Sequence, residues 1–276
     1  MQGVGKALLV SGLTAWLAGC AATPPPVHTA EAISPPPPAP PHDYAADTAN
    51  LRLALMRQVP QAILPSPAED ALWIQHAKTQ LALSPYKIET PQLLVAVDRS
   101  PLVQQMRIIL AVPGGTWQVV GGGLVSTGRQ GRKYYYITPT GVFAHTDAIL
   151  DYRAEGTYNE NHIRGLGRKG MRVWDFGWQE ARKGWHGNGE SGEIRLLMHA
   201  TDPDVLEQRL GRPDSMGCVR IAANMNKFLD RHGVLDADYL KAAKTDPRYA
   251  GVLPKDGEPS AFAGTYLVIF DSSQPE

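Results

Sequence analysis

From residue 92 onward, short apolar segments alternate with turns that contain glycine or proline, and this alternation most constrains the fold. The apolar segments lie at residues 93–97, 103–112, 117–120, 124–125, 134–137, 142–143 and 265–270. Short strands separated by turns at roughly 8–12-residue intervals are typical of β-sandwiches and barrels. Because 43% of the residues are hydrophobic, the chain can also bury a substantial core. We therefore predict a mostly β (α+β) fold, a sandwich or barrel with added helices.

Residues 44–90 carry a helical pattern instead. Apolar residues at helical spacing precede Pro60, which closes the first predicted helix. The second helix begins with Ser66 as its cap, Pro67 at its first position and Glu69 three residues after the cap. We expect these helices to form an accessory layer on the main domain, which we place at residues 91–276.

Residues 1–20 resemble the signal peptide of a bacterial lipoprotein. The apolar run at residues 7–17 is too short to span a membrane comfortably. It is followed by Leu-Ala-Gly and Cys20, which resembles a lipobox, the motif whose cysteine is lipidated and becomes the mature N-terminus. Ala21 stands where an aspartate would retain a lipoprotein at the inner membrane. The resemblance implies a lipid at Cys20 and a periplasmic location at the outer membrane; an ordinary secretory signal with an incidental cysteine is the alternative.

Residues 21–43 are rich in proline. Proline fixes φ and favours the extended polyproline II conformation, so this segment is predicted to be a semi-rigid periplasmic linker. It would hold the folded part away from the membrane. A ligand motif for an aromatic groove is the alternative.

The composition argues against several classes of function. Lys and Arg number 27, as do Asp and Glu, so the formal net charge is zero, whereas nucleic acid binding normally requires a basic surface. Metal binding is not indicated, because the eight histidines are scattered and no second cysteine lies near Cys218. Residues 165–170 match Gly-x-Gly-x-x-Gly, but without a preceding strand and a following helix we predict a flexible basic loop. No cofactor or metal is predicted.

Of the two cysteines, Cys218 has surroundings that indicate chemistry. A strand is predicted at residues 194–198, with His199 at its end, and a short helix at residues 201–210. The chain then continues Ser215-Met216-Gly217-Cys218-Val219-Arg220. A thiol nucleophile needs to become a thiolate, and a neighbouring imidazole can supply both the base and a stabilising charge. Gly217 has no Cβ and allows the backbone to turn its N–H groups toward an oxyanion. A buried structural thiol is the alternative.

This segment resembles the catalytic motif of the L,D-transpeptidase (YkuD-type) family, a histidine followed further along by Ser/Thr-His-Gly-Cys-x-Arg/Asn. Upstream segments resemble other motifs of the family in the family's order. These segments are Val95-Ala96-Val97-Asp98-Arg99-Ser100, Val125-Ser126-Thr127-Gly128 and Thr138-Pro139-Thr140-Gly141-Val142-Phe143. The resemblance covers residues 92–233.

The resemblance implies a periplasmic enzyme that acts on the tetrapeptide stems of peptidoglycan, both as donor and as acceptor. Cys218 would attack the carbonyl after the L-centre of diaminopimelate, with His199 as general base. The backbone carbonyl of Ala200 would orient the imidazole, and the N–H of Gly217 would contribute to the oxyanion hole. An amine of a second stem would then resolve the acyl-enzyme and form a cross-link of the cell wall. The link would join two diaminopimelates or, as in a proteobacterial branch, L-alanine and diaminopimelate.

Two positions depart from the family pattern. Ala200 replaces the usual glycine or serine after the histidine, and Met216 replaces the histidine of Ser-His-Gly-Cys. Methionine cannot donate a hydrogen bond or shift the pKa of the thiol. We expect an active enzyme in which the acceptor, or the choice between transfer and hydrolysis, is altered. The alternatives are a carboxypeptidase- or amidase-type hydrolase of diaminopimelate bonds and a non-catalytic wall-binding lipoprotein.

Residues 144–192 stand where the family carries a lid over the active site, and they combine tryptophans with arginines. Aromatic side chains could cover the peptide stem while arginines meet its carboxylates. The predicted substrate contacts are Ser215, Arg220, Met216, Trp174, Trp178, Trp185 and Arg172. For Arg220, a role in structuring the loop or in an ion pair is the alternative, and for the lid segment it is a solvated loop with core tryptophans. The sequence does not define an oligomeric state.

Overall fold

A computed structural model describes residues 42–274. The predicted signal peptide with Cys20, and the predicted linker as far as residue 41, lie outside the described residues. Within residues 42–274, no helix is both long enough and apolar enough to cross a membrane.

In the described part of the chain, nine strands form a single sheet in the order β4-β9-β1-β2-β3-β8-β7-β6-β5. The strands are β1 Gln92–Asp98, β2 Gln105–Ala111, β3 Gln118–Ser126, β4 Gly141–Ala144, β5 Tyr152–Arg153, β6 Arg172–Arg182, β7 Ser191–Ala200, β8 Val219–Ile221 and β9 Tyr266–Phe270. The helices are α1 Tyr44–Gln58, α2 Pro67–Ala82, α3 Ala223–Arg231, α4 Ala237–Ala242 and α5 Pro247–Val252. The prediction of a mostly β fold with added helices is confirmed.

The strand β3 joins the two halves of the sheet. Its first part pairs antiparallel with β2, and Val125 and Ser126 at its end pair antiparallel with β8. Glycines permit the close approach of β2, because a Cβ at Gly122 would lie 1.8 Å from the carbonyl oxygen of Met106. The glycine run therefore lies where β3 approaches β2 closely, just before the residues that pair with β8.

The sheet curls so that strands from both halves contribute to one core. Side chains of β1, β2 and β9 belong to the same buried cluster as those of β6, β7 and β8, and Leu55 of α1 and Phe228 of α3 join them. On the outer side of the first half, α2 packs Trp73, Ala77 and Leu81 against β1, β2 and β9 in a second cluster. The outer side of the second half, formed by β8, β7, β6 and β5, carries the candidate site.

Three local predictions were wrong. Between His199 and Cys218 the regular helix is reduced to a 3-10 turn at Glu207–Arg209. Residues 134–137 form no strand, and Tyr136 makes only an isolated bridge to Lys183. Within the lid segment, residues Arg172–Arg182 form β6, which pairs with β7 and is buried over its first half. The lid segment is therefore partly an integral strand of the sheet, because its apolar residues complete the core.

Candidate active site

Strand pairing brings Cys218 and His199 to the same face of the sheet. The strands β7 and β8 are parallel, with Met198 opposite Val219 and His199 opposite Arg220. Met198 and Val219 point into the core. Because successive side chains of a strand alternate between faces, His199, Arg220 and Cys218, which directly precedes Val219, lie on the outer face.

His199 is buried, with 3% of its surface exposed. Its Nδ1 lies 2.8 Å from the backbone carbonyl oxygen of Ala200, the contact that the resemblance implies. A carbonyl accepts only, so Nδ1 carries the proton and Nε2 is the basic nitrogen. Burial lowers the pKa of His199 to about 4, and the charge of Arg220 acts in the same direction. The imidazole is therefore neutral at pH 7 and available as a proton acceptor.

Cys218 is a free, half-buried cysteine. Its Sγ lies 3.9 Å from the carbonyl oxygen of Arg195, and the backbone N–H of Leu197 also interacts with it. Burial raises the pKa of the thiol. Among residues 42–274, no hydrogen bond joins this thiol to His199. The resting pair is a neutral thiol with a neutral imidazole, so the stabilising charge expected from the histidine is absent at pH 7.

Residues 214–217 form the loop before Cys218, which we call the cysteine loop. Its hydrogen bonds involve two residues that were predicted to be functional, Ser215 and Gly217. Ser215 is fully buried, donates from Oγ to the carbonyl of Cys218 at 2.6 Å and accepts from the N–H of Gly217 at 3.1 Å. The prediction that Ser215 contacts substrate is therefore wrong. Since its N–H is already bonded, Gly217 is not a free oxyanion donor in this structure, and its φ of +134° instead shapes the loop.

Thr138 connects the motifs that the sequence resemblance rests on. Its Oγ1 accepts from the N–H of Gly128 at 2.8 Å and donates to the carbonyl of Gly217 at 2.7 Å. The carbonyl of Thr127 accepts from the N–H of Ser215 at 2.9 Å. A Cβ at Gly128 would lie 1.9 Å from the carbonyl oxygen of Tyr136, which explains the glycine. The separated motifs therefore build one structural unit around the cysteine loop.

Met216 belongs to this loop, and Arg220 follows it. Arg220 donates from Nη1 to the carbonyl of Asp214 at 3.1 Å, so it structures the loop, and burial lowers the pKa of its guanidinium. The side chain of Met216 is 51% exposed, and its backbone carbonyl accepts from Tyr136. A substrate contact by Met216 stays a prediction.

Arg172 and Trp174 are fully buried, so the prediction that they contact substrate is wrong. Arg172 is held by Asp151 at 2.9 Å and Asp236 at 3.0 Å. Trp174 packs in the main core. Both belong to the buried first half of β6, where a buried cation requires carboxylate partners rather than a ligand.

A β-bulge places Trp178 on the opposite face from Trp174. Asp175 pairs with Leu197 and Trp178 with Arg195, so β6 has one residue more than β7 between these pairs. Gly177, with a φ of +77°, lies in the bulge. As a result Asp175 and Trp178 share the outer face, and Trp178 is 63% exposed. Trp178 therefore remains a candidate substrate contact.

Trp185 lies beside the cysteine loop. Its ring centroid is 5.1 Å from that of Tyr136, whose backbone N–H donates to the carbonyl of Met216. The side chain is half-buried, so one part supports the loop and another part is accessible.

Sequence reasoning missed Arg195. Its Nε donates to Asp175 at 2.9 and 3.0 Å from the two carboxylate oxygens, and its guanidinium lies 5.7 Å from the Trp178 ring. The period-two alternation of the predicted strand before His199 could have indicated that Arg195 shares the face of His199. Asp175 had no such signal, since its face depends on the register of β6.

The loop at residues 165–170 covers the end of β7. Gly167 packs against Ala200, and Arg164 donates to both carboxylate oxygens of Asp202, from its backbone N–H at 2.8 Å and from Nη1 at 3.2 Å. Arg168 pairs with Asp204. These hydrogen bonds and ion pairs attach the loop to the residues that follow β7, and its predicted flexibility stays a prediction. Among residues 42–274, no group of three or more His, Cys, Asp or Glu residues is arranged to hold a metal ion.

Comparisons with known proteins add little to what the sequence motifs indicate. No family model matches the sequence, and no curated protein matches it. One similar solved structure is a mutant of the helical cell shape determining protein Pgp2 from Campylobacter jejuni, with a TM-score of 0.30 and 12% identity. The match covers 71% of this chain and 54% of that chain, so this chain spans about half the length of the protein it matches. A likeness of this degree carries no argument about mechanism.

Proposed function

We propose that this chain is a cysteine-dependent acyltransferase of the cell wall, an L,D-transpeptidase that acts on peptidoglycan stems. The observation that carries the proposal is the shared outer face of Cys218 and His199, with Nδ1 of the histidine bonded to the Ala200 carbonyl. Support also comes from the sequence motifs, which Thr138 connects around the cysteine loop. With a lipid at Cys20, the site would face the cell wall from the outer membrane.

In the proposed reaction, Sγ of Cys218 attacks the carbonyl carbon of a stem amide while Nε2 of His199 accepts the thiol proton. Because the pKa of His199 is about 4, the proton moves during the attack rather than before it. The imidazolium then protonates the departing amine, which leaves a thioester on Cys218. The amine of a second stem attacks the thioester, gives its proton to Nε2, and the returning proton restores the thiol.

The thiol and the imidazole must approach each other before this step. No hydrogen bond joins the thiol to the imidazole in the part of the chain that the structure describes. Catalytic hydrogen bonds often shorten only when substrate is bound. Substrate binding would bring Sγ toward Nε2 along the common face.

The first prediction concerns acylation of the thiol. Incubation of the full chain with a carbapenem should add the mass of one drug molecule, because a β-lactam carbonyl can replace the amide carbonyl as the target of Cys218. Intact-protein mass spectrometry measures the adduct, and Cys218→Ala, which keeps Cys20, is the control. Absence of an adduct, or an equal adduct on Cys218→Ala, would contradict a nucleophilic Cys218.

The products of reaction with sacculi identify the acceptor. Muropeptide mass spectrometry should show new cross-linked dimers with the unmodified chain and none with Cys218→Ala. Shortened or released monomers in place of dimers would identify a hydrolase. No change in muropeptides, together with no carbapenem adduct, would leave the non-catalytic wall-binding alternative.

A further inference from the structure

We propose that Arg195 is a carboxylate-binding residue of the candidate site, so that the preferred ligand carries a carboxylate close to the carbon attacked by Cys218. The inference deepens the proposed function and rests on it for the identity of the substrate. The binding chemistry itself rests only on the arrangement around the thiol.

The position of Arg195 follows from β7. Its own carbonyl oxygen lies 3.9 Å from Sγ of Cys218, and the N–H of Leu197, two residues further along, also interacts with the thiol. The side chain of Arg195 is opposite Trp178 on the outer face. It therefore emerges beside the nucleophile.

The guanidinium of Arg195 is held at Nε by Asp175, and its two terminal nitrogens are open to a ligand. Nε donates to Asp175, whereas Nη1 and Nη2 make no protein hydrogen bond within residues 42–274. The side chain is 41% exposed, while that of its partner Asp175 is 4% exposed. Two terminal nitrogens with free N–H groups match the two oxygens of a carboxylate.

Asp175 is itself held in place, so Arg195 is preorganised. Its carboxylate accepts from the N–H of Gly177 at 2.9 Å, and its backbone N–H donates to Asp151 at 2.9 Å. Asp151 is buried in the ion cluster around Arg172. A guanidinium anchored in this way loses less conformational freedom when it binds a ligand.

The surroundings favour an anionic ligand with an aliphatic body. The charge of Arg220 lowers the pKa of the thiol and that of Asp175 raises it, while the carboxylate of Asp175 is already paired with Arg195. Trp178 forms an exposed wall beside Arg195. Tyr152 is 41% exposed and lies within range of the charges of Asp175, Cys218 and Arg195. A short peptide or amino acid derivative with a free carboxylate has this chemistry.

Alkylation of Cys218 tests the inference without any enzyme assay. Iodoacetate and iodoacetamide form the same sulfur–carbon bond and release iodide and a proton, but only iodoacetate carries a carboxylate. The ratio of their rates at Cys218 of the full chain should exceed the ratio for N-acetylcysteine at the same pH. Peptide mass spectrometry assigns the modified cysteine and separates Cys218 from Cys20.

Arg195→Gln should reduce this ratio by about two- to fivefold, the range expected for a half-exposed charge pair. Arg195→Lys should retain part of the preference. Arg248→Gln is the matched control, since Arg248 is also exposed and bonded through Nε to an aspartate. An unchanged iodoacetamide rate in each variant shows that the thiol environment is intact.

Failure of this inference is distinguishable from failure of the proposed function. A ratio that is the same in Arg195→Gln as in the unmodified chain would overturn the role of Arg195, even if cross-linked muropeptides form. A reduced ratio without muropeptide products would keep the carboxylate site and reject the transferase.

Discussion

At the scale of single residues, the protonation state of His199 determines how the thiol would be activated in the proposed reaction. A buried imidazole with a pKa of about 4 is neutral under ordinary conditions, and burial also raises the pKa of Cys218. A preformed thiolate–imidazolium pair would require the opposite shifts. In the proposed reaction, the proton would therefore move during the attack, and reactivity would depend on a substrate that brings the thiol and the imidazole together.

The same burial predicts a pH dependence of stability. The pKa of His199 is about 4 in the folded protein, against an ordinary value of 6.5 for an exposed histidine. As the pH falls below the higher value, the unfolded chain takes up a proton that the folded protein does not. Above pH 6.5, His199 is neutral in both states and does not make the stability depend on pH. As the pH falls from 6.5 to about 4, the free energy of unfolding should decrease by about 3 kcal/mol.

Urea unfolding at several pH values between 7.5 and 4 measures this loss. His199→Gln cannot bind the proton and should lose less stability over the same window. Parallel pH dependences in the two proteins would contradict a buried, neutral His199.

Arg220 and Ser215 illustrate how polar residues of a motif can serve the loop rather than the ligand. Arg220 donates to the carbonyl of Asp214, and Ser215 bonds both Gly217 and Cys218. The sequence motif identified both residues as members of the candidate site. Their hydrogen-bond partners depend on a loop conformation that the motif alone does not define.

At the scale of elements, the bulge in β6 determines which side chains of this strand lie on the face that carries the site. An uninterrupted strand would place Trp174 and Trp178 on one face, since they are four residues apart. The extra residue moves Trp178 to the outer face with Asp175, and leaves Trp174 in the core. Asp175 can then hold Arg195 beside the cysteine.

Gly177→Ala should destabilise the protein by roughly 1–2 kcal/mol, because a φ of +77° is unfavourable for residues with a Cβ. That Cβ would also lie 3.0 Å from Cδ1 of Ile149. Thermal unfolding measures the change, and Gly165→Ala is the control, since its Cβ would have no neighbour within 4 Å. Equal effects of the two substitutions would show that the bulge does not require glycine.

At the scale of the whole molecule, a buried ion cluster ties the lid segment to the C-terminal helices. Arg172 of β6 bonds Asp151, Asp230 and Asp236, which precede or belong to three other elements. His145 adds a contact of 2.9 Å to Asp151. Asp151 of this cluster accepts a hydrogen bond from the backbone N–H of Asp175. The buried cluster therefore stabilises the site indirectly, through Asp175.

Arg172→Met should lower the free energy of unfolding by about 3–5 kcal/mol, because it leaves buried carboxylates without their cation. Chemical denaturation measures the loss, and Arg248→Met, at an exposed ion pair, should have little effect. A stable Arg172→Met with weakened ligand binding would indicate instead that Arg172 acts on the substrate.

The sequence by itself determined the mostly β class and the strand that carries His199, and it singled out Cys218 and His199 as the candidate pair. These features depend on side-chain alternation, turn residues and short motifs, which are properties of neighbouring residues. Only the tertiary structure decided which lid residues face solvent, that Arg195 adjoins the thiol, and that His199 is neutral. Each of these depends on strand register, a bulge or burial, and hence on contacts between residues far apart in the chain.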